Sequence, residues 1–257
     1  MNILQAIILA IVEGITEFLP ISSTGHLVLA SNLLQIAQTD FVKSFEIIIQ
    51  LGAILAVVWL YRKELVSTRY WPMVIAGFIP TGILGYFLYP LIKSQLIGNV
   101  VLTLVALFVG GIVLLFIKPS TQGQDLKDLS LKQVVTIGLF QAVSMIPGVS
   151  RAAATIIGGL AVGLNRKSSV KYSFFLAVPT MLAATGLDLV QNSLAFTPDQ
   201  FLILGIGFVG AFISAMAAIK GFLEYVQTHD FKLFGVYRII LAVIYFLLLS
   251  HQTLALF

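Results

Sequence analysis

The chain has 257 residues, of which 59% are hydrophobic and only 10% charged. Soluble domains carry about a quarter charged residues, so the composition excludes a water-soluble enzyme and predicts a single membrane domain over 1–257. The formal charge of +4 is what a positive-inside bias leaves in a membrane protein and gives no sign of a nucleic-acid partner, and the absence of cysteine excludes disulfides, thiolate catalysis and cysteine-ligated metals.

In chain order, MNILQAIILAIVE opens without a basic region or a small-residue cleavage site, so no removable signal peptide is expected. Residues 2–34 are apolar but interrupted by Leu19-Pro20 and the cluster SSTGH. Runs at 45–61, 73–92 and 97–117 follow, each long enough to cross a bilayer. The interval 118–130 is a polar linker too short for a soluble domain. Residues 131–164 are again interrupted, by Ile146-Pro147-Gly148 and Val149-Ser150-Arg151, before further spanning runs at 172–189, 201–222 and 235–256. Each half of the two interrupted segments is about 10 to 17 residues, short for a crossing, and proline stops the first half of each because it lacks an N–H and clashes with the preceding turn. The expected fold is therefore all-α and polytopic, with six transmembrane helices and two re-entrant helix-loop-helix hairpins. Irregular backbone at membrane depth is tolerated only where it is buried in protein or lines a wet cavity, so both hairpins point to one internal polar site.

Sliding the sequence by about 127 to 130 residues aligns FLPISST with MIPGVSR and FIPTGILG with FVGAFISA. Each unit, about 1–117 and about 131–257, then holds a broken hairpin and three spans, and an odd number of crossings turns the second unit upside down relative to the first. Arg62, Lys63, Arg69, Lys118, Lys127, Lys132, Arg166, Lys167, Lys171 and Lys232, flanked by Lys220 and Arg238, mark the cytoplasmic loops. The other loops hold only Lys43 and Lys93. The first hairpin is thus expected to enter from outside and the second from inside, with both termini external.

The stretch EGITEFLPISSTGHL at 13–27 concentrates polar groups in an apolar run. Glu13 and Glu17 share a helix face with Cβ atoms about 5–6 Å apart, and each ionised acid at the bilayer centre costs about 2.5–3.5 kcal/mol. A divalent cation, a shared proton or a nearby guanidinium would compensate, as would a water-exposed helix end; oxygen-only ligands favour magnesium or calcium over zinc. Ser22, Ser23 and Thr24 stand where N-caps belong. A cap needs one hydroxyl, and three beside Gly25 and His26 exceed it, while the free amides of the helix start suit an anion. His26 is the one histidine far from a loop or terminus and reads as an acid-base group. Arg151, in PGVSRAAATII, needs an anion, either a phosphate in bidentate contact or a structural bridge to Glu13 or Glu17. Ser150 and Thr155 lie on the same short helix and could add hydroxyls to that anion. Glu46 and Gln50 share a helix face, with an interhelical hydrogen bond expected. Two helix starts, an arginine, two acids and a histidine among apolar spans fit an amphiphile with a phosphate head, and they are the parts phosphoryl transfer uses.

EGITEFLPISSTGHL and PGVSRAAATI resemble the two signature motifs of the undecaprenyl-diphosphate phosphatases, the bacitracin-resistance family, and length, span pattern and repeat agree over the whole chain. Ala152 departs from the serine the family commonly has there. The resemblance implies hydrolysis of undecaprenyl diphosphate to the monophosphate and inorganic phosphate in the bacterial inner membrane, recycling the carrier for peptidoglycan synthesis, with the site open to the periplasmic face. It makes Glu13 and Glu17 the acids tied to the metal or the diphosphate, Ser23 the nucleophile, His26 its proton partner, and Arg151 the phosphate clamp beside Ser150 and Thr155. Direct attack by water is the other route. A lipid or small-anion transporter or flippase is the rival, because inverted repeats with broken helices are also a transporter signature. The expected partners are the polyprenyl diphosphate and membrane lipids, with a homodimer one open arrangement.

Overall fold

A computed structural model describes residues 1–67, 69–96, 99–118, 121–191 and 196–254. Its elements are α1 (Ile3–Thr16), α2 (Ser23–Leu33), α3 (Asp40–Leu60), α4 (Arg62–Val66), α5 (Trp71–Leu91) running into a π turn (Ile92–Leu96), α6 (Val100–Phe116), α7 (Leu131–Val143), α8 (Arg151–Ala161), α9 (Arg166–Gln191), α10 (Pro198–Thr228) and α11 (Lys232–Leu254). Among the described residues the only β pairing is one isolated bridge, Gln124 to Leu164. Five helices there are long and apolar enough to cross a membrane: Asp40–Leu60, Trp71–Leu88, Arg166–Leu187, Pro198–Thr228 and Lys232–Leu249. The sixth expected span forms α6, whose 17 residues measure ~26 Å at 1.5 Å per residue; the expected start at 97–98 and the end of the last span at 255–256 lie outside the described residues. The side chains of Lys93, Asp188 and His251 lie outside them as well.

The two interrupted segments break one turn earlier than their prolines stand. Helix α1 ends at Thr16 and α7 at Val143, each four residues before Pro20 or Pro147. Proline has no N–H to give the carbonyl four residues back, and its ring crowds that carbonyl, so the disturbance falls on residue i−4. Local geometry then recurs at a spacing of 128 residues. Asn2 with Gln5, and Ser130 with Gln133, form capping boxes at the starts of α1 and α7. Gln5 Nε2 donates to the Leu34 carbonyl at 3.2 Å, and Gln133 Nε2 to the Val162 carbonyl at 2.8 Å, which ties the start of each first half to the end of its second. Ser22 and Ser150 cap α2 and α8 from positive φ, 70° and 75°.

Helix α1 lies against α10, and α10 against α3. Gly14 makes the first contact close: a Cβ there would strike Ser214 Oγ and come 2.6 Å from the Ala211 carbonyl oxygen. Gly111 and Gly235 bring α6 and α11 together, since a Cβ on either would lie 2.8 Å from the other's carbonyl oxygen. The largest buried cluster joins Phe18 to Ala53 and Val57 of α3, Ile156 of α8, Phe174 and Ala177 of α9 and Ala215 and Ile219 of α10. Phe18 meets Phe174 edge to face, centroids 5.5 Å apart.

Two basic residues differ from their reading as loop charges. Arg166 is buried and donates to the Gln227 carbonyl at 2.8 Å and to the His229 carbonyl, satisfying the last turn of α10. Arg238 is 0% exposed. Its Nε donates to the carbonyl of Leu107 at 3.2 Å, Nη1 to those of Pro20 at 3.2 Å and Val149 at 3.0 Å, and Nη2 to those of Ala106 at 3.1 Å and Gly148 at 2.8 Å. It flanks no loop, and holds the interruptions of both broken segments against α6.

Filling the α1–α10 contact should destabilise the protein. Overpacking costs about 1–3 kcal/mol, so Gly14→Leu should lower the thermal midpoint in detergent by several degrees. Gly205→Ala, where a Cβ meets nothing within 4 Å, should not lower it. Equal midpoints for Gly14→Leu and wild type would contradict this packing.

Candidate active site

Glu17 is the C-cap of α1, and the turn that follows returns the chain so that Ser23, the first residue of α2, faces it. Ser23 Oγ donates to Glu17 Oε2 at 2.5 Å. Six residues is no helical spacing, so the turn and not helix periodicity makes this pair. Ser22 spends its side chain on capping, its Oγ accepting from the Gly25 amide at 3.5 Å. Thr24 is exposed, and Gly25 packs against Leu107, with a Cβ 3.0 Å from Cδ1.

Arg151, the first residue of α8, meets this pair from the second broken segment. Its Nε and Nη2 reach Glu17 Oε1 at 3.4 and 3.3 Å, and both side chains of the pair are 10% exposed. Nη1 donates to the Ser173 carbonyl at 3.0 Å, and the guanidinium lies over the Phe18 ring, 5.7 Å from its centroid. Glu17 therefore offers one oxygen to the serine and the other to the arginine. Ser150 caps α8 through the Ala153 amide at 3.1 Å. Thr155 is buried, its Oγ1 2.8 Å from the Arg151 carbonyl and 2.6 Å from Ser173 Oγ, which places it behind Arg151 as a brace of the same turn.

His26 lies one turn beyond Ser22 and is oriented by two partners. Nδ1 stands 2.7 Å from the Ser22 carbonyl oxygen and Nε2 2.6 Å from Tyr237 Oη. A carbonyl accepts only, so Nδ1 carries the proton and the Nε2 lone pair accepts from the tyrosine hydroxyl. The two rings lie parallel within 5°, centroids 5.5 Å apart. The structure thus joins Glu17, Ser23 and Arg151 directly, while His26 faces Tyr237.

Glu13 is 0% exposed, and neither carboxylate oxygen has a hydrogen-bond partner among the described residues. Its charged neighbours are Glu17, Glu46 and Arg151; Glu46 accepts from Ser31 Oγ at 3.3 Å. A buried carboxylate without a donor calls for a cation or a proton. No group of three or more His, Cys, Asp or Glu gathers to hold a metal among the described residues; Glu13 and Glu17 are the two acids of the site that could share a cation. That suits an oxygen-seeking divalent ion that keeps water and phosphate oxygens as its other ligands.

Tyr237 and Ser173 escaped the sequence reading, and Arg238 entered it only as a loop-flanking charge. Only Arg238 carried a signal: it sits six residues into a spanning helix, and an intramembrane arginine marks a site by default. Beside His26 opens an apolar cleft of about 260 Å³ between α1, α2 and α11, lined among others by Val12, Leu29, Leu33, Leu241 and Ile244.

Comparison with known proteins identifies the family. A family described as bacitracin resistance protein BacA matches residues 6–244. The undecaprenyl-diphosphatase of Aquifex aeolicus is 50% identical over 246 residues, covering 94% of this chain and 96% of its own. That of Wolinella succinogenes is 50% identical over 251 residues, 95% and 97% of the two chains, and that of Thermus thermophilus 43% identical over 248 residues, 94% and 95%. With buried Glu17, Ser23 and Arg151 in contact and this likeness running nearly end to end, the chain belongs to the bacitracin resistance protein BacA family.

Proposed function

We propose that this multi-pass membrane protein is a phosphatase that hydrolyses undecaprenyl diphosphate to undecaprenyl phosphate and inorganic phosphate, returning the carrier lipid to peptidoglycan synthesis and conferring bacitracin resistance. The observation that carries the reading is the contact of Ser23 with Glu17 and of Glu17 with Arg151, with an apolar cleft opening beside His26, three residues along α2 from Ser23. A nucleophile, a proton acceptor and a phosphate-binding cation meet where a polyprenyl tail has somewhere to lie. A transport site needs only a binder.

In this reading the diphosphate enters between the starts of α2 and α8, and Arg151 turns its fork from Glu17 to the phosphate oxygens. Ser23 Oγ attacks the terminal phosphorus and the bond to the bridging oxygen breaks, so that lipid monophosphate leaves with the electron pair. The serine proton passes to Glu17 Oε2, the atom Ser23 already faces. His26, once its Nε2 gives up the Tyr237 hydroxyl, is the proton carrier for the water that releases phosphate from Ser23. Free amides at the start of α2, set by the Ser22 cap, add to the anion's stabilisation. A divalent cation, magnesium or calcium, bound at Glu13 and Glu17 would neutralise diphosphate charge.

The same reading places six crossings and two re-entrant hairpins in inverted repeat in the bacterial inner membrane, the site open to the periplasm. Its support is the 128-residue recurrence of caps and positive-φ serines together with the uneven loop charges.

Three results test this. Purified protein in detergent, where transport is undefined, should release phosphate from a polyprenyl diphosphate, lose that activity to a chelator and regain it with magnesium or calcium; no release with cation present favours the transporter. Ser23→Ala, His26→Ala and Arg151→Ala should each cost at least about 10²-fold in kcat, and full activity of Ser23→Ala would remove the phosphoserine route in favour of direct water attack. Because the chain has no cysteine, Gln38→Cys should react with an impermeant thiol reagent in intact cells and Lys127→Cys only after permeabilisation; the reverse pattern overturns the orientation.

A further inference from the structure

We propose that Arg238 is a positioning residue of the reaction: its guanidinium holds the two turns in one register and thereby sets Ser23 and Glu17 against Arg151. The inference rests on the phosphatase reading and deepens it. An arginine has five N–H donors in a fixed planar fork, and all five are used on five backbone carbonyls at 2.8 to 3.2 Å. No acid forms an ion pair with it among the described residues. One acceptor, Pro20, precedes Ser23 by three residues, and another, Val149, precedes Arg151 by two. Among the described residues no other side chain bonds the backbone of both turns, so beside the Arg151–Glu17 ion pair, which joins the turns through side chains, this one group ties the serine's turn to the arginine's.

The surroundings are shaped to admit it. Gly110 leaves the space the guanidinium fills, since a Cβ there would strike Nη2. Gly148, at φ 94°, is the sharpest point of the second turn, where a Cβ would strike the Thr103 carbonyl oxygen as well. Lysine carries the same charge but presents three donors at one point, which cannot span five carbonyls on three chain segments. Arg238 itself has no route to substrate, being 0% exposed, so its effect on the chemistry runs through Ser23 and Arg151.

A misplacement of about 1 Å costs roughly 10²-fold in rate. In the purified full chain, Arg238→Gln and Arg238→Lys should each lower kcat by roughly that factor with KM changed less than about threefold. Gly110→Ala, which keeps the charge and displaces it, should lower kcat in the same direction. In an Arg151→Ala background, Arg238→Gln should cost less than about threefold further, because nothing is left to align. Spin labels on Thr24→Cys and Val143→Cys, both exposed positions, should give one narrow distance distribution that broadens with Arg238→Gln, a readout independent of turnover. Full kcat in folded Arg238→Gln, additive losses with Arg151→Ala, or an unchanged distance distribution would overturn the proposal. So would loss of folding in both Arg238 variants by circular dichroism and size exclusion, which would make the residue a support of the fold alone. An inactive wild type would sink the phosphatase reading instead, and the label distances would still decide the role of Arg238.

Discussion

Two turns that leave backbone carbonyls among apolar helices set the terms for the rest of this structure. A buried carbonyl without a donor costs about 1–3 kcal/mol, and a helix interrupted in apolar surroundings exposes several at once. Arg238 answers both turns together: three of its bonds go to Pro20, Gly148 and Val149, and two to α6. Among the described residues no acid pairs with this cation, and five carbonyl dipoles face its charge. That choice has a consequence for the site. An acid placed to neutralise Arg238 would add a further negative charge beside a turn that already carries Glu17, whereas a fork bound to carbonyls adds none.

The scaffold repeats at 128 residues, but its chemistry does not. Capping boxes, lateral glutamine bonds and positive-φ serines recur in both broken segments, as parts that fold the backbone do. The residues that carry charge diverge at the same spacing. Glu13 corresponds to Gln141, which is equally buried and gives its amide to Thr81 and Thr180 at 2.9 and 3.0 Å. Glu17 corresponds to Met145, Ser23 to Arg151 and His26 to Ala154. One segment thus holds the acids and Ser23 and the other the arginine, with Ser23 and Arg151 each in the helix-start position that the shared turn creates. Holding a serine at φ 70° or 75° costs about 1–3 kcal/mol, and the cap hydrogen bond from the following helix helps to hold it there.

Much of this was legible in the sequence. Both interrupted segments, the helical class and the residues Glu17, Ser23 and Arg151 were visible because buried charge in a greasy chain has few explanations. What stayed hidden depends on contacts that leave no sequence pattern. Arg238 bonds only to carbonyls, which every residue possesses, and it stands close enough to a loop to pass for a positive-inside charge. Tyr237 and His26 are 211 positions apart, and nothing in either neighbourhood predicts the other. Helix ends moved for a local reason: α3 and α10 begin earlier than their apolar runs because Thr39 and Thr197 cap them at polar positions, and α1 stops at Thr16 because Pro20 acts four residues upstream.

Glu17 is the residue through which these constraints meet the chemistry. It accepts from Ser23 on one oxygen and from Arg151 on the other, so the three cannot be assigned separate duties. In the proposed reaction, a phosphate that draws Arg151 onto its own oxygens would take away the countercharge of Glu17 at the step where the Ser23 proton needs an acceptor. Substrate binding and nucleophile activation are then the same exchange of partners, and the exchange works only if Arg151 can leave one anion for the other with little motion. That is a demand on the distance between two turns from opposite halves of the chain, and it is the ground of the proposal that a residue out of reach of substrate governs the rate.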